Sequence, residues 1–590
     1  MVGTNKVPTL LGLYFGYKDI RFRTGVELIT GGRIAMSNDY RNILMVYPQF
    51  PSTYWGMQYY LPLIGKKAAM PPLGLITIAA MTPERYRIRL VDLNCESLKQ
   101  SDLEWADLVC FSAMLPQKSA LFKAAERCKT AGKLVVFGGP YPTACPEECA
   151  PYCDVLVLNE GEITWRNFLD DLDLGTYQNI YTTHDKPDVT QTPVPRFDLV
   201  NINDYGIIPI QFSRGCPFQC EFCDIIVMFG RKPRTKTPGQ MLAELTAVYE
   251  TGYRGMIFIV DDNFIGNKKE VKKLLAALAD WNAEHGHPFF YGTEASVNLA
   301  DDLELLELMV KANFIWVFLG IETPSADSLK ETRKVQNLGG SLVERVKLIQ
   351  KAGLQVWGGF IIGFDNDTEG IFERQIEFIA EAAIPNAMIG PLVALPGTPL
   401  YARMKQTGRL LEEGNGDEER TIASGYTNIV TRIPRKRLLE GHLEILQTIY
   451  MPEEYFKRTI DLFCRLPYPA SLTGRIRRFV LLSTGGLRSV LGKMTQKITS
   501  VRSILGQLKN LSGIYKQLPI DYKRASLKLA WAVIRKCPDQ LPFVLPYVLM
   551  GYHYYRFTFE HVVPGLSSLI ERPASTNEQE SKSLTQVSAA

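Results

Sequence analysis

The sequence predicts an α/β protein in three parts: an N-terminal doubly wound sheet of the Rossmann or flavodoxin type, a partial (βα)6 TIM-like barrel, and a mainly α-helical C-terminal region. Two series of short apolar strands, each interrupted by helical segments, run along the chain, and this is the pattern of parallel βα units. A Pro-, Asp- and Thr-rich linker lies between the two series. At 590 residues the chain exceeds what one hydrophobic core organises, so we expect several domains.

The order of these segments predicts the domain boundaries. The first residues show no clear hydrophobic period, so we expect them to form an extension rather than part of the sheet. The expected parts are the extension 1–40, the sheet domain 41–170, the linker 171–205, the barrel 206–415 and the helical region 416–590.

Five apolar strands predict the N-terminal sheet, and Gly- and Pro-rich loops collect between them. In an open parallel sheet the ligand lies beyond the carboxyl ends of the strands, so these loops are the expected binding edge. The strands are 42–50, 86–94, 106–114, 133–140 and 153–161, and the loops are 69–74, 112–117 and 138–143.

Six further strands predict the barrel. Six βα units fall short of the eight that close a complete barrel, so we expect an open one with its chemistry at the carboxyl-terminal mouth. The strands are 208–215, 255–263, 289–297, 315–323, 355–364 and 387–397.

The C-terminal region has an uneven charge. Residues 475–536 hold 14 Lys and Arg and a single acid, Asp521, so they carry +13 and leave −9 for the rest of a chain whose net charge is +4. A basic, apolar-rich stretch indicates contact with an anionic membrane or lipid. The alternatives are a helical subdomain with a solvated basic face, and nucleic-acid binding, which we do not expect because no nucleic-acid module is readable.

Composition indicates a soluble protein of a reducing compartment. The chain is 46% hydrophobic and 22% charged, values typical of globular domains. The chain has eleven Cys and no secretory signal. This favours free thiols that bind metals or pack in cores over disulfide bonds. No stretch offers 18 clean apolar residues, so we expect no transmembrane helix and a cytoplasmic location, with peripheral contact at the inner face of a membrane.

Three cysteines lie on the loop after the first barrel strand, in the stretch "SRGCPFQCEFCD". Cys216, Cys220 and Cys223 can hold three irons of a [4Fe–4S] cube and leave the fourth iron open, whereas a fully protein-ligated cluster has four Cys. An open iron can bind an amine and a carboxylate. The alternatives are a zinc site with a remote fourth ligand and three unrelated buried thiols.

The C-x3-C-x2-C spacing, with aromatic Phe222 before the last Cys, resembles the signature of radical S-adenosylmethionine enzymes. Motifs at successive strand ends resemble the same family in the expected order: "VDDN", "TEASVN", "GIETPS", "GGFIIGF" and "ALPGTPLY". The resemblance implies that the three cysteines are both catalytic residues and cluster ligands. It also implies that S-adenosylmethionine fills the open position and is cleaved by one electron to a 5′-deoxyadenosyl radical.

Six residues match positions that contact S-adenosylmethionine in that family. The resemblance places two aspartates at the ligand's amino group, two glutamates at its ribose or methionine moiety, and two glycines at its adenine. A carboxylate beside an ammonium is also physically sensible. The alternative is that each carboxylate is a strand-end residue paired with Lys or Arg. The residues are Asp261, Asp262, Glu294, Glu322, Gly359 and Gly363.

The N-terminal sheet resembles the cobalamin-binding domain found upstream of many radical S-adenosylmethionine enzymes. The motifs are "VYPQFP", "MPPLGL", "VDLN", "ADLVCFSAM" and "FGGPYPT", with a degenerate ending "LNEGE". The alternative is a flavodoxin-like domain without a ligand. The expected cobalamin contacts are Pro72, Gly74, Ser112, Met114, Gln117, Gly138 and Gly139.

None of the six His lies within 41–170, so this domain supplies no imidazole to cobalt. We therefore expect base-off cobalamin, with its lower face covered by the loop from Met114 to Gln117. A lower face without a strong ligand should favour transfer of the methyl group as a radical rather than as a cation.

Three other cysteines, Cys145, Cys149 and Cys153, repeat every four residues. This spacing fits a second cluster, but it also describes one stripe of a short helix, and Cys is commonly buried. We expect core thiols here. The same expectation applies to Cys95, Cys110, Cys128, Cys464 and Cys537.

Together these features predict a cobalamin-dependent radical S-adenosylmethionine methyltransferase. The motifs "CPFQCEFCDI", "VDDNFIGN" and "GIETPS" resemble those of the hopanoid C-2 methylase group. This resemblance implies methylation of an unactivated carbon in a lipid substrate, and an electron donor such as ferredoxin or flavodoxin. One alternative is a radical enzyme that catalyses cyclisation, oxidation or C–C coupling without methyl transfer. Another is a non-catalytic iron–sulfur or cobalamin sensor.

Overall fold

A computed structural model describes residues 40–411, 425–467 and 518–571. The N-terminal sheet has six parallel strands, one more than the sequence predicts, in the order β2-β1-β3-β4-β5-β6, which is the flavodoxin-like order with one strand added at an edge. The additional strand, Ile180–Tyr181, lies in the expected linker, and its two residues are too few to show a pattern in the sequence. The strand order reverses between β1 and β3, so the ligand crevice of such a fold lies at their carboxyl ends. The strands are β1 (Asn42–Tyr47), β2 (Arg87–Asp92), β3 (Leu108–Ser112), β4 (Leu134–Gly138), β5 (Val155–Val157) and β6 (Ile180–Tyr181).

Helices cover both faces of this sheet, which explains why its strands are apolar on both sides. Two separate clusters of buried side chains, one on each face, form its core. The helices are α1 (Leu73–Met81), α2 (Gln100–Trp105), α3 (Lys118–Thr130), α4 (Pro140–Ala144), α5 (Pro146–Cys149) and α6 (Gly161–Asp173).

The second sheet is the open barrel that the sequence predicts. Its six parallel strands follow the order β14-β13-β12-β11-β10-β7, and a separate two-stranded antiparallel ladder pairs β8 with β9. The barrel strands are β7 (Ile208–Ile210), β10 (Gly255–Ile259), β11 (Phe289–Ala295), β12 (Phe314–Glu322), β13 (Gln355–Ile362) and β14 (Ala387–Pro391). The ladder strands are β8 (Ser213–Arg214) and β9 (Arg234–Thr235).

The barrel helices alternate with these strands. For several helices, the side chain of the residue just before the first turn defines where the helix begins. Thr237, Asn267, Asp302, Ser325 and Ser341 each accept a hydrogen bond from a backbone N–H in the first turn of the helix that follows. The helices are α7 (Ile225–Met228), α8 (Pro238–Glu250), α9 (Lys268–Glu284), α10 (Leu303–Lys311), α11 (Ala326–Glu331), α12 (Leu342–Ala352), α13 (Ile371–Glu381) and α14 (Pro399–Gln406).

The C-terminal helices pack against the amino-terminal end of the last barrel strands, opposite the mouth. Tyr547 donates a hydrogen bond of 2.8 Å to Gln355 Oε1, and Tyr455 donates one of 3.2 Å to Asn386 Oδ1. These side chains belong to the same core cluster as the barrel. The helices are α15 (Arg435–Tyr450), α16 (Pro452–Arg465), α17 (Ile520–Lys536), α18 (Leu541–Phe557) and α19 (Val563–Glu571).

The loop after β1 (residues 48–72, the β1 loop) joins the N-terminal domain to this C-terminal region. Tyr54 stacks on Tyr450 with ring centroids 5.5 Å apart, and its hydroxyl lies 2.8 Å from Thr558 Oγ1. The carbonyl of Tyr54 accepts a hydrogen bond from His553 Nε2 at 3.1 Å. The Tyr450 hydroxyl donates to the carbonyl of Ala387 on β14, so all three parts of the chain meet at one buried aromatic junction.

Cys145, Cys149 and Cys153 lie in the core of the N-terminal domain, as expected for structural thiols. Burial raises the pKa of Cys149 and of Cys153. Cys110, Cys128 and Cys537 are also buried, and Cys95 is half-buried. The prediction is wrong for Cys464, which is exposed on α16 with its sulfur 3.4 Å from that of Cys537.

None of the helices in residues 40–411, 425–467 and 518–571 is long and apolar enough to cross a bilayer. Most of the basic segment expected at 475–536 lies outside the described residues, and so does the extension 1–40 apart from its last residue. The described part of the basic segment is α17 with the two residues before it.

Candidate active site

The three-cysteine loop leaves the barrel mouth between β8 and β9, which close its base. Ser213 pairs with Thr235 and Arg214 pairs with Arg234. Gly215 follows with φ +95°, and a Cβ there would lie 2.8 Å from the carbonyl oxygen of Gly230. Because only glycine tolerates both the angle and the contact, the first residue of the loop can turn tightly into Cys216.

Amide donors surround the thiols. Asn263 Nδ2 lies 3.6 Å from Cys216 Sγ, and Gln336 Nε2 lies 3.4 Å from Cys220 Sγ. Such N–H groups stabilise sulfur that carries negative charge and tune the potential of a cluster. Burial raises the pKa of Cys216, and that of Cys223 to about 12, so iron binding has to displace protons from the loop.

The donor set fits an iron–sulfur cube with an open iron. Cys216, Cys220 and Cys223 share one short loop, and polar donors are available to the cluster sulfurs. Among the described residues, no three His, Cys, Asp or Glu side chains lie close enough together to hold one metal ion.

The two adjacent aspartates lie just beyond the end of β10 and differ in their partners. Asp261 is fully buried, and its carboxylate accepts hydrogen bonds from the Phe212 N–H at 2.7 Å and the Ser213 hydroxyl at 2.6 Å. Asp262 is half-buried, and its Oδ2 is buried without a hydrogen-bond partner among the described residues. Asp262 is therefore the carboxylate that is available to a ligand.

The carboxyl halves of the barrel strands present one partly exposed face. On β12, Phe318 and Gly320 are partly exposed while Leu319 and Ile321 are buried, and Glu294 is the Cα partner of Phe318 on the neighbouring strand. We call the half-buried residues at these strand ends the barrel chamber. They are Val260, Asp262, Glu294, Phe318, Gly320, Gly359 and Ile361.

The carboxylates of the chamber repel one another. Burial, with the neighbouring Asp261, raises the pKa of Asp262 to about 7. Burial, with the charges of Asp262, Asp261 and Glu322, raises the pKa of Glu294 to about 8. A cationic ligand would relieve this excess of negative charge, which fits the ammonium and sulfonium of S-adenosylmethionine.

Glu322 is held differently from Glu294. It adopts φ +65°, and its carboxylate accepts a hydrogen bond from the buried ammonium of Lys334. Burial by itself would lower the pKa of Lys334, but Glu322, Cys220 and Cys223 raise it, so the ammonium stays charged beside the thiols. A Cβ on Gly320 would lie 2.5 Å from Glu322 Oε1 and 2.7 Å from Lys334 Nζ, so glycine makes room for this pair.

The two expected adenine glycines differ in their surroundings. A Cβ on Gly359 would lie 2.9 Å from the Phe318 ring, inside the chamber. Gly363 adopts φ +97° at a turn where Asp367 accepts its N–H at 2.9 Å. The turn alone explains the glycine at 363, whereas the glycine at 359 makes room for the Phe318 ring of the neighbouring strand.

The expected cobalamin residues gather at the carboxyl edge of the N-terminal sheet. A Cβ on Gly139, which has φ +90°, would lie 2.4 Å from Ser112 Oγ, so the loops after β3 and β4 touch. Gly138 ends β4, and a Cβ there would lie 3.1 Å from the carbonyl oxygen of Val157. The two glycines thus let these loops approach closely at one edge.

In the loop after β3, the Met114 side chain is exposed and the Gln117 side chain is buried and hydrogen-bonded within the protein. Met114 is 48% exposed at the edge of the crevice. Gln117 is fully buried, donates to the Pro48 carbonyl at 2.5 Å and accepts from the Met114 N–H at 2.8 Å. Gln117 therefore shapes the loop and has no free amide for a ligand. Pro72 is buried before α1, and Gly74 is exposed with open space beside it.

A buried ion cluster joins this edge to the three-cysteine loop. Glu160, after β5, accepts from Arg214 Nη1 at 2.7 Å and from Arg234 at 2.7 and 3.0 Å, and Glu162 lies 2.7 Å from Arg214 Nη2. The Glu160 side chain is only 3% exposed. Sequence reasoning missed this junction, although both glutamates lie in the degenerate motif "LNEGE", and it missed Lys334, Asn263 and Gln336 as neighbours of the thiols.

Comparison with known families agrees with this geometry. Residues 66–169 match the B12 binding domain, and residues 210–379 match the radical SAM superfamily. Residues 398–563 match a domain of unknown function, DUF4070.

Solved structures share the fold. The cobalamin-dependent S-adenosylmethionine radical enzyme OxsB, with aqua-cobalamin and S-adenosylmethionine bound, aligns at TM-score 0.55 and 14% identity over 93% of this chain and 83% of its own. The radical S-adenosylmethionine methyltransferase TsrM from Kitasatospora setae aligns at TM-score 0.53 and 13% identity over 68% of this chain and 84% of its own.

Curated relatives are much closer in sequence. The uncharacterized methyltransferase sll1242 of Synechocystis is 45% identical over 73% of this chain and 80% of its own. The hopanoid C-2 methylase of Rhodopseudomonas palustris is 36% identical over 71% of this chain and 78% of its own. With the cysteine loop, the chamber carboxylates and the cobalamin edge in place, the chain belongs to the cobalamin-dependent radical S-adenosylmethionine methyltransferase family, whose cofactors are a [4Fe–4S] cluster, S-adenosylmethionine and cobalamin.

Proposed function

We propose that this protein methylates an unactivated carbon of an apolar polycyclic lipid, with S-adenosylmethionine as methyl source and cobalamin as methyl carrier. The observation that carries the proposal is the Glu160 junction, which connects the three-cysteine loop to the carboxyl edge of the cobalamin-binding sheet. An enzyme that combines radical formation with methyl delivery needs both cofactors held in a fixed relation.

Each cofactor has its own residues in this proposal. Cys216, Cys220 and Cys223 hold three irons, and Asn263 and Gln336 donate hydrogen bonds to the sulfurs. When bound, the cluster supplies the electron that splits S-adenosylmethionine, and cobalamin supplies a carrier for the methyl group.

The chamber residues orient S-adenosylmethionine. Asp262 and Glu294 accept hydrogen bonds from its amino group and balance its sulfonium charge. Lys334 carries the positive charge that suits its carboxylate. Gly359 lets the Phe318 ring lie close against β13, at the wall where the nucleoside would bind. The two carboxylates and Lys334 act through their charges, and Gly359 acts through the absence of a side chain. None of these residues transfers a proton.

At the cobalamin edge, the loops after β1 and β3 line the crevice where the strand order reverses. Met114, on the loop after β3, is exposed, and Gln117 holds that loop by hydrogen bonds to Pro48 and Met114. No imidazole comes from residues 41–170, so the lower face of cobalamin would meet only this loop.

An apolar substrate suits the rest of the chamber. Trp55, from the β1 loop, is 37% exposed and lies 5.1 Å from the Phe318 ring and 6.3 Å from the Trp357 ring, centroid to centroid. The cobalamin-binding domain thus delivers an aromatic surface to the barrel wall beside Glu294. The similarity to a hopanoid C-2 methylase supports a polycyclic lipid in this place.

The proposed reaction also requires an electron donor and access to a lipid substrate. Reduction of the cluster requires an external one-electron donor, and a ferredoxin or flavodoxin is the proposed partner. We place the enzyme in the cytoplasm, in contact with the membrane that dissolves its substrate.

The test uses the anaerobically reconstituted enzyme with methyl-labelled S-adenosylmethionine, a chemical reductant, hydroxocobalamin, and hopane solubilised in cyclodextrin. We expect 5′-deoxyadenosine and labelled lipid from the wild type and neither from Cys220→Ala. Deoxyadenosine with an altered but unlabelled lipid would replace methylation with cyclisation, oxidation or coupling. Absence of deoxyadenosine from a fully loaded wild type would overturn the enzymatic proposal and favour a sensor.

A further inference from the structure

The outward face of α17 is unusual for a soluble protein because it combines large apolar side chains with cations. Ile520, Leu527, Trp531 and Ile534 are 65%, 60%, 62% and 50% exposed. Their spacing of seven, four and three residues places them along one side of an α-helix. An apolar row of this size marks an interaction site on a protein surface.

The opposite face of α17 sets this orientation. Tyr522, Leu529 and Val533 are buried, and the Tyr522 hydroxyl donates to the Val548 carbonyl at 2.6 Å. The Tyr522 ring also meets the Phe456 ring edge-on, with centroids 5.3 Å apart. Because this packing holds the helix against α16 and α18, the exposed row cannot turn inward without loss of the buried contacts.

The charges on the helix are positive with one exception. Arg524, Lys528, Arg535 and Lys536 are exposed on the same helix, whose single acid is Asp521. Arg535 lies 5.9 Å from the Trp531 ring, so a cation stands beside the central aromatic side chain. In sequence, the preceding residues 475–517 add nine Lys and Arg and no acid. The basic character therefore continues from the helix into the chain that leads to it.

We infer that this face of α17 is a membrane-docking surface, whose partner is a bilayer containing anionic phospholipid. Apolar side chains with Trp among them enter the headgroup boundary, and flanking Lys and Arg bind anionic headgroups. The charge of the face favours this partner over an acid-poor protein surface. The biological reason for such docking rests on the proposed lipid substrate. The docking itself does not, since vesicle binding is measured without catalysis.

The test is sedimentation of the full-length protein with sucrose-loaded vesicles of phosphatidylcholine alone, or of equal parts phosphatidylcholine and phosphatidylglycerol. The test variant is Trp531→Glu/Ile534→Glu, and a second variant, Lys528→Gln/Arg535→Gln, alters only exposed charges. The matched control is Leu303→Glu on α10, because Leu303 is 61% exposed and lies on the barrel. Circular dichroism melting confirms that each variant is folded.

We expect the wild type and Leu303→Glu to bind only the anionic vesicles, and this binding should weaken as salt is added. Trp531→Glu/Ile534→Glu should bind at least about tenfold more weakly, and Lys528→Gln/Arg535→Gln should fall between. Wild-type protein that does not sediment, or a Trp531/Ile534 variant that binds like the wild type, would overturn the inference. So would self-association that Trp531→Glu/Ile534→Glu abolishes, because the face would then join two copies.

The proposed methylation fails separately from this inference. With hopane delivered in cyclodextrin, Trp531→Glu/Ile534→Glu should methylate at the wild-type rate, because α17 is remote from the chamber residues. If the wild type binds vesicles but transfers no methyl group, the docking surface stands and the proposed reaction is wrong.

Discussion

Glu160→Gln tests whether the cobalamin-binding domain holds the three-cysteine loop in place. The substitution keeps the size of the side chain and removes its charge. Glu160 is the carboxylate shared by Arg214 and Arg234, which are Cα partners at the base of the loop. Like charges on paired strands repel each other, so the loop base depends on an acid from another domain.

The magnitude follows from burial. The side chains of Glu160, Arg214 and Arg234 are 3%, 12% and 16% exposed, so water replaces the lost partner poorly. Removing one member of a buried ion pair costs about 3–5 kcal/mol. We expect the lower end, about 3 kcal/mol, because Glu162 still binds Arg214 and the amide keeps neutral hydrogen bonds. This corresponds to a change of about a hundredfold in the equilibrium between closed and open loop.

The assay is hydrogen exchange across residues 213–235 in the protein without cluster, together with the rate at which a ferrous chelator removes iron from the reconstituted protein. Both should accelerate in Glu160→Gln. The matched control is Glu148→Gln, since Glu148 pairs with Lys118 inside the N-terminal domain, away from the junction. Exchange and iron loss at wild-type rates in Glu160→Gln would refute the reasoning, because the loop would then be stable without its neighbour.

Three further predictions concern the cofactors and the substrate. Burial raises the pKa of Asp262 from 3.8 to about 7 and the pKa of Glu294 from 4.5 to about 8. The two groups therefore contribute to the folding stability of the free enzyme below about pH 4, and this contribution is lost as the pH rises through 7–8. S-Adenosylmethionine should bind the ionised form, tighten from pH 6 to 9 and release protons at pH 7, measured by calorimetry in buffers of different ionisation enthalpy; uptake of protons would contradict this. Trp55→Ala should raise the KM for a polycyclic lipid about tenfold while cleavage of S-adenosylmethionine without lipid is unchanged, and Trp55→Phe should restore most of the affinity; an unchanged KM would remove Trp55 from the substrate site. Bound cob(II)alamin should show no nitrogen coupling to cobalt in its electron paramagnetic resonance spectrum, and a coupled nitrogen would reveal a lower ligand from outside residues 41–170.

The local patterns of the chain were sufficient for the fold class. Six apolar strands with helices between them specify an open barrel because each βα unit is a short-range structure, and the flavodoxin-like order follows from right-handed crossovers. The cysteine loop is likewise local, since Cys216, Cys220 and Cys223 lie within eight positions and need no distant partner to be brought together.

Side-chain direction was beyond such patterns. Asp261 and Asp262 are adjacent in the motif, yet Asp261 accepts hydrogen bonds from Phe212 and Ser213 whereas Asp262 Oδ2 has no partner among the described residues. Both follow the end of β10, where the path of the loop rather than strand alternation sets the direction of each side chain. Gln117 likewise lies beyond the end of β3, and its amide, expected at the ligand, is hydrogen-bonded to Pro48 and Met114.

The sequence by itself determined the covalent spacing of the cluster ligands, the succession of βα units and the absence of His from the sheet domain. Only the tertiary structure decided that Lys334 lies beside the thiols, that Glu160 joins two domains, that Trp55 reaches the barrel wall and that α17 turns apolar side chains outward. The reason is physical. Spacing encodes what neighbours along the chain do, whereas these four contacts or exposures depend on how distant elements pack, and many packings are compatible with the same local pattern.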